Sequence, residues 1–412
     1  MSEFTLPLDI KSLEVISQHI DKQGNMIIEV RSKHKGTKCH KCGQPATKRY
    51  GHAPEMKLRH TSVFDQPVYL RIKPVRYQCE NCDDHPTTTE QYDWCSRNAK
   101  TTHALEDYLM RLLIHSTVQD VSRKENIAYK TVVAVLNRKI DVGINWDVFT
   151  NLDVIGIDEI ASKKGYNDYF SIISTRTHDG KLRILAVIKG RTYDDVKPFL
   201  DSIPESLKQT VKSVCTDMHD GFVTAAVEVF GTRILVVDRY HVAKLYRKPL
   251  DKLRISEMAR LKEELAADEY SELEGMMWIL WKKYECLSKV EKAKLELLYK
   301  HSLKLKQAHK YALKLTQIFN AHSNRKTGLA KLVRWIKSVG KSDVTCFKTF
   351  IKTRKKYKPY IANYFKGRKT SGFVEGLNNK IKVAKRRCYG IFKTETVFQR
   401  IYLDLNGYEV FA

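Results

Sequence analysis

Two Cys-x2-Cys pairs, "CHKC" at 39–42 and "CENC" at 79–82, set the first constraint on the fold. Each pair holds two thiols on one tight turn, and Gly43, directly after the first pair, suits such a turn. Four soft thiolates in this pattern are the ligand set of a tetrahedral structural zinc site, so one Zn²⁺ on Cys39, Cys42, Cys79 and Cys82 is expected. The 36-residue gap between the pairs is longer than in compact zinc ribbons, which calls for a small β subdomain between them. "VYLRIKPVRYQC" supplies it, alternating large apolar and basic residues as a strand with one solvated face does. His40, His85 and Cys95 rank below the four cysteines as ligands, and four unrelated buried cysteines are the competing reading.

The nine cysteines are odd in number, and "MSEFTLPLDI" has no basic n-region followed by an apolar core. Both observations predict a reducing, cytoplasmic setting without a secretory signal. No apolar run approaches the roughly 18 residues of a spanning helix, so no membrane partner is expected. Lys and Arg exceed Asp and Glu by 26, which calls for a polyanionic partner, most commonly nucleic acid. The 412 residues fit two to four domains.

Residues 83–100 are polar and read as a linker. From Ala104 the hydrophobic period becomes helical: "ALEDYLMRLLIHS", then "TVQDVSRKE" with Thr117 as N-cap, then "YKTVVAVLNRKI". The last two have the length and turn of a DNA-reading helix pair, residues 117–139. The third helix offers Tyr129, Lys130, Asn137, Arg138 and Lys139 to base edges or phosphates. A plain helical hairpin is the alternative.

Three strands, "LDVIGIDEIA", "DYFSIIST" and "LRILAVIKG", are followed by alternating helices and strands to Asp238, a mixed sheet with helices on its faces. Asp158 and Asp217 end apolar strands, at the rim where open α/β sheets place their chemistry. With a third carboxylate they can hold two Mg²⁺ ions about 4 Å apart for in-line displacement at phosphorus. Glu375 heads "VEGLNNKIKVAKRR", whose Lys380, Lys382, Lys385, Arg386 and Arg387 can grip phosphates. Glu159 and Asp220 compete with their neighbours, and Glu375 can equally be an acid complementing a helix dipole. Asp238 and His241 in "VVDRYH" point to the same rim or are a helix cap and a surface histidine. Residues 241–366 read as almost wholly helical.

Taken in order, the Cys pairs, the helix pair, "VIGIDE", "CTDMHDGF", "VDRYHVAKLYRK" and "SGFVEGLNNKIKVAKRRCYGIF" resemble the ISL-three family of bacterial insertion-sequence transposases, from about residue 30 to 410. The resemblance implies an α+β multidomain chain: a zinc module with linker (1–100), a helix-turn-helix (101–150), an RNase H-like core (151–240 and 367–412) and a large helical insertion (241–366). It implies a DDE triad of Asp158, Asp217 and Glu375 working with two Mg²⁺ (Mn²⁺ as a substitute), with Asp238, His241 and Lys382 accessory. A metal-activated water would expose a 3′-OH at the terminal inverted repeats, which then attacks target duplex DNA. Two ends must meet, so a homodimer or larger synaptic assembly on the nucleoid is expected. A DNA-binding regulator with a vestigial sheet domain, and a nuclease that cuts without joining, are the alternatives.

Overall fold

A computed structural model describes residues 8–163, 165–367 and 372–412, apart from the side chains of Phe373 and Glu375. It divides into two compact units, residues up to Asp141 with Asn406–Ala412, and Val142–Leu405.

The first unit is built on a four-stranded sheet in the order Leu13–Ile20, Met26–Ser32, Gln66–Ile72 and Met56–Val63. Phe64 and Asp65 join its last hairpin with φ of 48° and 62°, the twist a two-residue hairpin turn requires. Alternation buries Ile28, Val30, Leu58, Leu70 and Ile72 on one face. A smaller sheet of Lys48–His52, Val75–Gln78 and Thr87–Thr89 carries the second Cys pair.

Residues 83–100 are not the expected linker. Trp94 and Cys95 are buried in the core of the first sheet, and Tyr92 stacks on Trp94 at 4.9 Å. Backbone bonds from Arg59 to Lys100 and from Thr102 to Arg59 tie the end of this stretch to the sheet edge. The four-cysteine module and the helices after it are therefore one packed unit.

Those helices are α1 (His103–Leu113), α2 (Val118–Lys124) and α3 (Tyr129–Lys139). Thr117 caps α2 as expected, its hydroxyl accepting from the Asp120 N–H at 3.0 Å. Val118 and Val121 of α2 and Val132, Val135 and Leu136 of α3 are buried, the 3.6-residue stripe of two packed helices.

The second unit contains a five-stranded sheet in the order Leu182–Lys189, Tyr169–Arg176, Val154–Ala161, Ser213–Thr216 and Leu235–Val237. The first three strands pair antiparallel and the last two parallel, the mixed sheet expected from the sequence. Helices Tyr193–Asp201 and Asp220–Phe230 bury Val196, Leu200, Phe222 and Ala226. They approach so closely that a Cβ on Gly221 would lie 2.8 Å from the Tyr193 nitrogen. Between the last strand and the helix Gly372–Arg387, all described regular structure is helical. No helix among the described residues is long and apolar enough to cross a membrane.

Candidate functional site

Strand register brings the expected carboxylates into one row. Ile157 pairs with Thr216 and Thr216 with Val237 in parallel, so Asp158, Asp217 and Asp238 are the next positions on three neighbouring chains. Neighbouring strands lie about 4.8 Å apart, which sets the spacing of the row. Asp158 accepts from the Glu159 N–H at 2.8 Å, and Asp217 from the His219 N–H at 2.9 Å. Burial pushes both carboxyls above the ordinary range. The Asp217 charge adds to the rise at Asp158 and the Glu159 charge to that at Asp217, while His241 opposes both.

Glu375 lies in the helix Gly372–Arg387, and its side chain is outside the described residues. The helix itself is firmly docked. Val374, Leu377, Ile381 and Ala384 are buried, and Asn378 donates to Asp158 Oδ2 at 2.6 Å. Seven residues on, Lys385 donates to the carbonyls of Ala161 and Ser162 at 2.8 and 2.7 Å. Seven helical residues rise about 10.5 Å, which matches three to four residues of strand. The helix therefore runs alongside the Asp158 strand in the same direction, with position 375 about one turn before Asn378. Asn378 was not singled out from the sequence. Its spacing of three from Glu375, on the apolar stripe of the helix, was the available signal.

The competing carboxylates are committed elsewhere. Glu159 receives Arg191 at 2.8 Å, with that guanidinium over the Tyr169 ring. Asp220 receives Lys356 at 2.6 Å and the Tyr357 hydroxyl. Asp238 is a helix cap, accepting from the Tyr240 N–H at 3.3 Å, and is buried. His241 is half-buried, close enough to bias both Asp158 and Asp217.

Two of the five cations on this helix depart from the expectation. Lys385 is spent on strand carbonyls, and burial lowers its pKa. Arg387 pairs with the nearly buried Asp404 at 2.6 Å. Lys380, Lys382 and Arg386 remain exposed.

The residues fit hard cations. Asn378 Oδ1, His219 Nδ1 and Thr216 Oγ1 are buried without a hydrogen-bond partner, and all belong to residues touching or flanking the two aspartates. Two half-buried carboxylates, the charge of one raising the pKa of the other, with unsatisfied polar atoms on neighbouring residues, match what Mg²⁺ takes as ligands and outer-sphere contacts.

In the first unit, the Sγ atoms of Cys39, Cys42, Cys79 and Cys82 all lie within 4.8 Å of one another. Cys39 to Cys82 is 4.0 Å and Cys42 to Cys79 is 3.6 Å. A tetrahedron with metal–sulfur bonds of about 2.3 Å has edges of about 3.8 Å, so the cluster fits a four-thiolate metal centre. The N–H groups of Cys42 and Lys41 lower the Cys39 thiol to about 6, while its bond with Cys42 raises Cys82 to about 12. The rivals fall away: His40 and His85 bond to Thr88 and the Cys79 carbonyl, and Cys95 is in the sheet core.

On α3, Tyr129, Lys130 and Asn137 are exposed. Arg138 and Lys139 correct the expectation. Arg138 donates at 2.5 Å to Glu106, a buried carboxylate on α1, and Lys139 to Asp107 at 2.7 Å. They fasten α3 to α1. Arg138→Ala is accordingly expected to lower stability by about 1–2 kcal/mol, because Glu106 loses its closest cation in a buried setting. A melting curve identical to wild type would return Arg138 to a surface role.

Comparisons with known proteins cover most of the sequence. The helix-turn-helix domain of transposase family ISL3 matches residues 90–138. The transposase for insertion sequence element IS1001 of Bordetella parapertussis is 24% identical over 371 residues, covering 90% of this chain and 89% of that protein. The transposase for IS1557 of Mycobacterium tuberculosis is 23% identical over 391 residues, covering 90% of this chain and 86% of its own. The DDE family profile of the ISL3 group, described as Transposase, matches residues 155–401, a span that takes in the aspartate row and the docked helix. That match covers more than half of the sequence, and the chain belongs to the ISL3 family of transposases.

Proposed function

We propose that this chain cuts DNA at the terminal inverted repeats of an insertion sequence and joins the freed ends to a target duplex, through an RNase H-like core with Asp158, Asp217 and Glu375 as its triad. The observation that carries the reading is the docking of the Glu375 helix on Asp158 through Asn378, beside the row shared with Asp217. Divalent metal ions on these carboxylates would supply Lewis acidity at the attacking and leaving oxygens. Asp158 is held in place by the Glu159 N–H and the Asn378 amide, and Asp217 by the His219 N–H, so neither has to reorganise as negative charge develops. His241 biases both carboxylates toward the ionised form. Lys380, Lys382 and Arg386 would hold phosphates of the strand being cut. In hydrolysis a water oxygen bonds to phosphorus, the bond to the 3′-oxygen breaks, and that oxygen takes a proton. In joining, the 3′-OH replaces the water and a target 3′-oxygen leaves.

The helix-turn-helix would read the repeats with Tyr129, Lys130 and Asn137, and the four cysteines would hold one structural Zn²⁺. Two ends require a dimer or larger assembly, working on the nucleoid in the cytoplasm. Residues 241–366 would be the insertion within the core.

The test uses purified protein, Mg²⁺ and a labelled duplex from the flanking DNA of the coding frame. Nicking that leaves a 3′-OH, followed by joining to a plasmid, is expected. Glu375→Gln should abolish both while repeat binding persists. An active Glu375→Gln enzyme would remove that residue from the triad, and nicking without joining would reduce the protein to a nuclease.

A further inference from the structure

Three large aromatic rings are exposed close together in the sequence of the helical region. Trp278, Trp281 and Tyr284, spaced by three, are 68%, 53% and 47% exposed. They follow one another through the helix Met276–Trp281 and the turn Tyr284–Cys286. Single exposed apolar residues are ordinary, but three large exposed rings within seven residues are not. Cations are set among them. The Arg247 guanidinium lies 5.6 Å from the Trp281 ring centre and Lys292 lies 5.1 Å from that of Tyr284.

Trp281 also forms one wall of a groove of about 540 Å³, within the range of about 300–1,000 Å³ that ligand sites occupy. Arg239, Arg247, Lys282 and Lys283 line it. Lys282 is paired with Glu291, whereas neither Arg247 nor Lys283 has a carboxylate partner among the described residues. Arg239 opens the helix Arg239–Glu264 directly after Asp238, and eight residues later Arg247 lies about 12 Å along the same helix. The groove thus runs outward from the end of the aspartate row. The surroundings are strongly basic: residues 239–367 carry 31 Lys or Arg against 12 Asp or Glu, and from 297 to 367 the only acid is Asp343.

We infer that this groove is a second nucleic-acid site, one that takes unpaired DNA: a base stacks on Trp281 while its phosphates lie on Arg247 and Lys283. Aromatic platforms interleaved with cations bind single strands because every base offers a π-face and every nucleotide a charge. Duplex DNA keeps its bases covered and meets such a platform poorly. The inference rests on the reading of the chain as a DNA-processing enzyme and adds the form of DNA handled beside the active site.

Full-length protein is titrated against a fluorescein-labelled dT12 strand, and separately against a blunt duplex of flanking-repeat sequence, by anisotropy in EDTA at about 0.1 M salt. Trp281→Ala is expected to weaken dT12 binding about tenfold, in the lower part of what stacking one base supplies, while duplex binding stays within twofold. Trp281→Phe should retain most of the affinity, which separates loss of the ring from loss of the fold, and Arg247→Glu should weaken dT12 more than duplex. Unchanged dT12 binding by Trp281→Ala overturns the inference. So does an equal loss on both DNAs, which would make the surface a general charge. A change in sedimentation without a change in dT12 affinity would make the aromatic rings a contact between copies and overturn it too. Cleavage plays no part in these measurements, so an inactive triad would leave the result standing, and an absent strand site would leave the triad untouched.

Discussion

Asp158→Asn is expected to reduce strand cleavage by at least about a hundredfold to a thousandfold, the loss typical of removing one preorganised electrostatic contact at a reacting centre, and also to raise the melting temperature of the metal-free protein. The two outcomes have one cause. Burial raises the Asp158 carboxyl above its ordinary pKa, and Asp217 beside it raises it further. A carboxyl whose folded pKa lies above its unfolded value binds its proton more tightly in the fold. Its contribution to stability is complete below the unfolded pKa and is lost as pH rises through the folded one. Above their raised folded values both aspartates are held in the fold as charges that oppose it, and a metal ion would remove the opposition. The amide introduced by the substitution carries no charge, and Asn378 can rotate to offer its unpartnered Oδ1 to the new NH2 group, so the hydrogen bond survives. Mg²⁺ should therefore raise the melting temperature of the wild type more than that of the variant. Wild-type cleavage should decline toward acid pH as protons compete for the raised carboxyls. A variant that cleaves at the wild-type rate, or that melts lower than wild type in EDTA, would contradict the electrostatic account of the row.

Much of this row could be read from the sequence because strands carry their own signal. "VIGIDE" and "VKSVCTD" place an aspartate at the end of an apolar run, and the structure puts both at matching register on adjacent parallel strands. Register itself is not written in either segment, so the alignment of Asp238 with them emerged only from the pairing of Thr216 with Val237. Long-range partners were equally hidden. Arg138 looks solvent-facing on a helical wheel, and the acid that captures it, Glu106, sits in another helix within the stripe "ALEDYLM". Lys385 and Arg387 read as phosphate ligands for the same reason, since a run of cations gives no sign that a strand carbonyl or Asp404 lies opposite. Residues 83–100 looked like a linker because polar residues outnumber the two, Trp94 and Cys95, that anchor them. The aromatic rings at 278–284 give no distinct signal in the sequence, because the surrounding Lys, Glu and Leu make the region resemble uniform helix. Exposure, which periodicity does not report for a short helix, is what distinguishes those rings from core.

Cys79→Ser is expected to abolish zinc binding at the four-cysteine cluster and to loosen the first unit while leaving the five-stranded sheet folded. Cys79 is fully buried, and its backbone is pinned between the short strands, its N–H bonding to the Pro86 carbonyl. A serine there removes one of four soft ligands at a position with no substitute nearby, because His40 and His85 are already bonded elsewhere. Without metal, the pairs lose the centre that holds two turns together, and among the described residues the buried cluster around them adds Ala46, Val75 and Tyr77 to the cysteines. A core of that size cannot hold a module, and metal binding supplies its folding free energy. The protonation of the metal-free cluster gives a second readout. Raised pKa values mean that Cys79 and Cys82 carry protons at neutral pH, whereas the N–H groups around Cys39 favour its thiolate. Zinc binding must then release protons, so its calorimetric enthalpy should change with the ionisation heat of the buffer, and chelation should become easier as pH falls. Hydrogen exchange should rise in Val75–Gln78 of the variant and stay low in Val154–Ala161, because the two strands belong to different compact units. One zinc per chain retained by Cys79→Ser, or exchange rising equally in both strands, would mean that these four thiols do not staple the module.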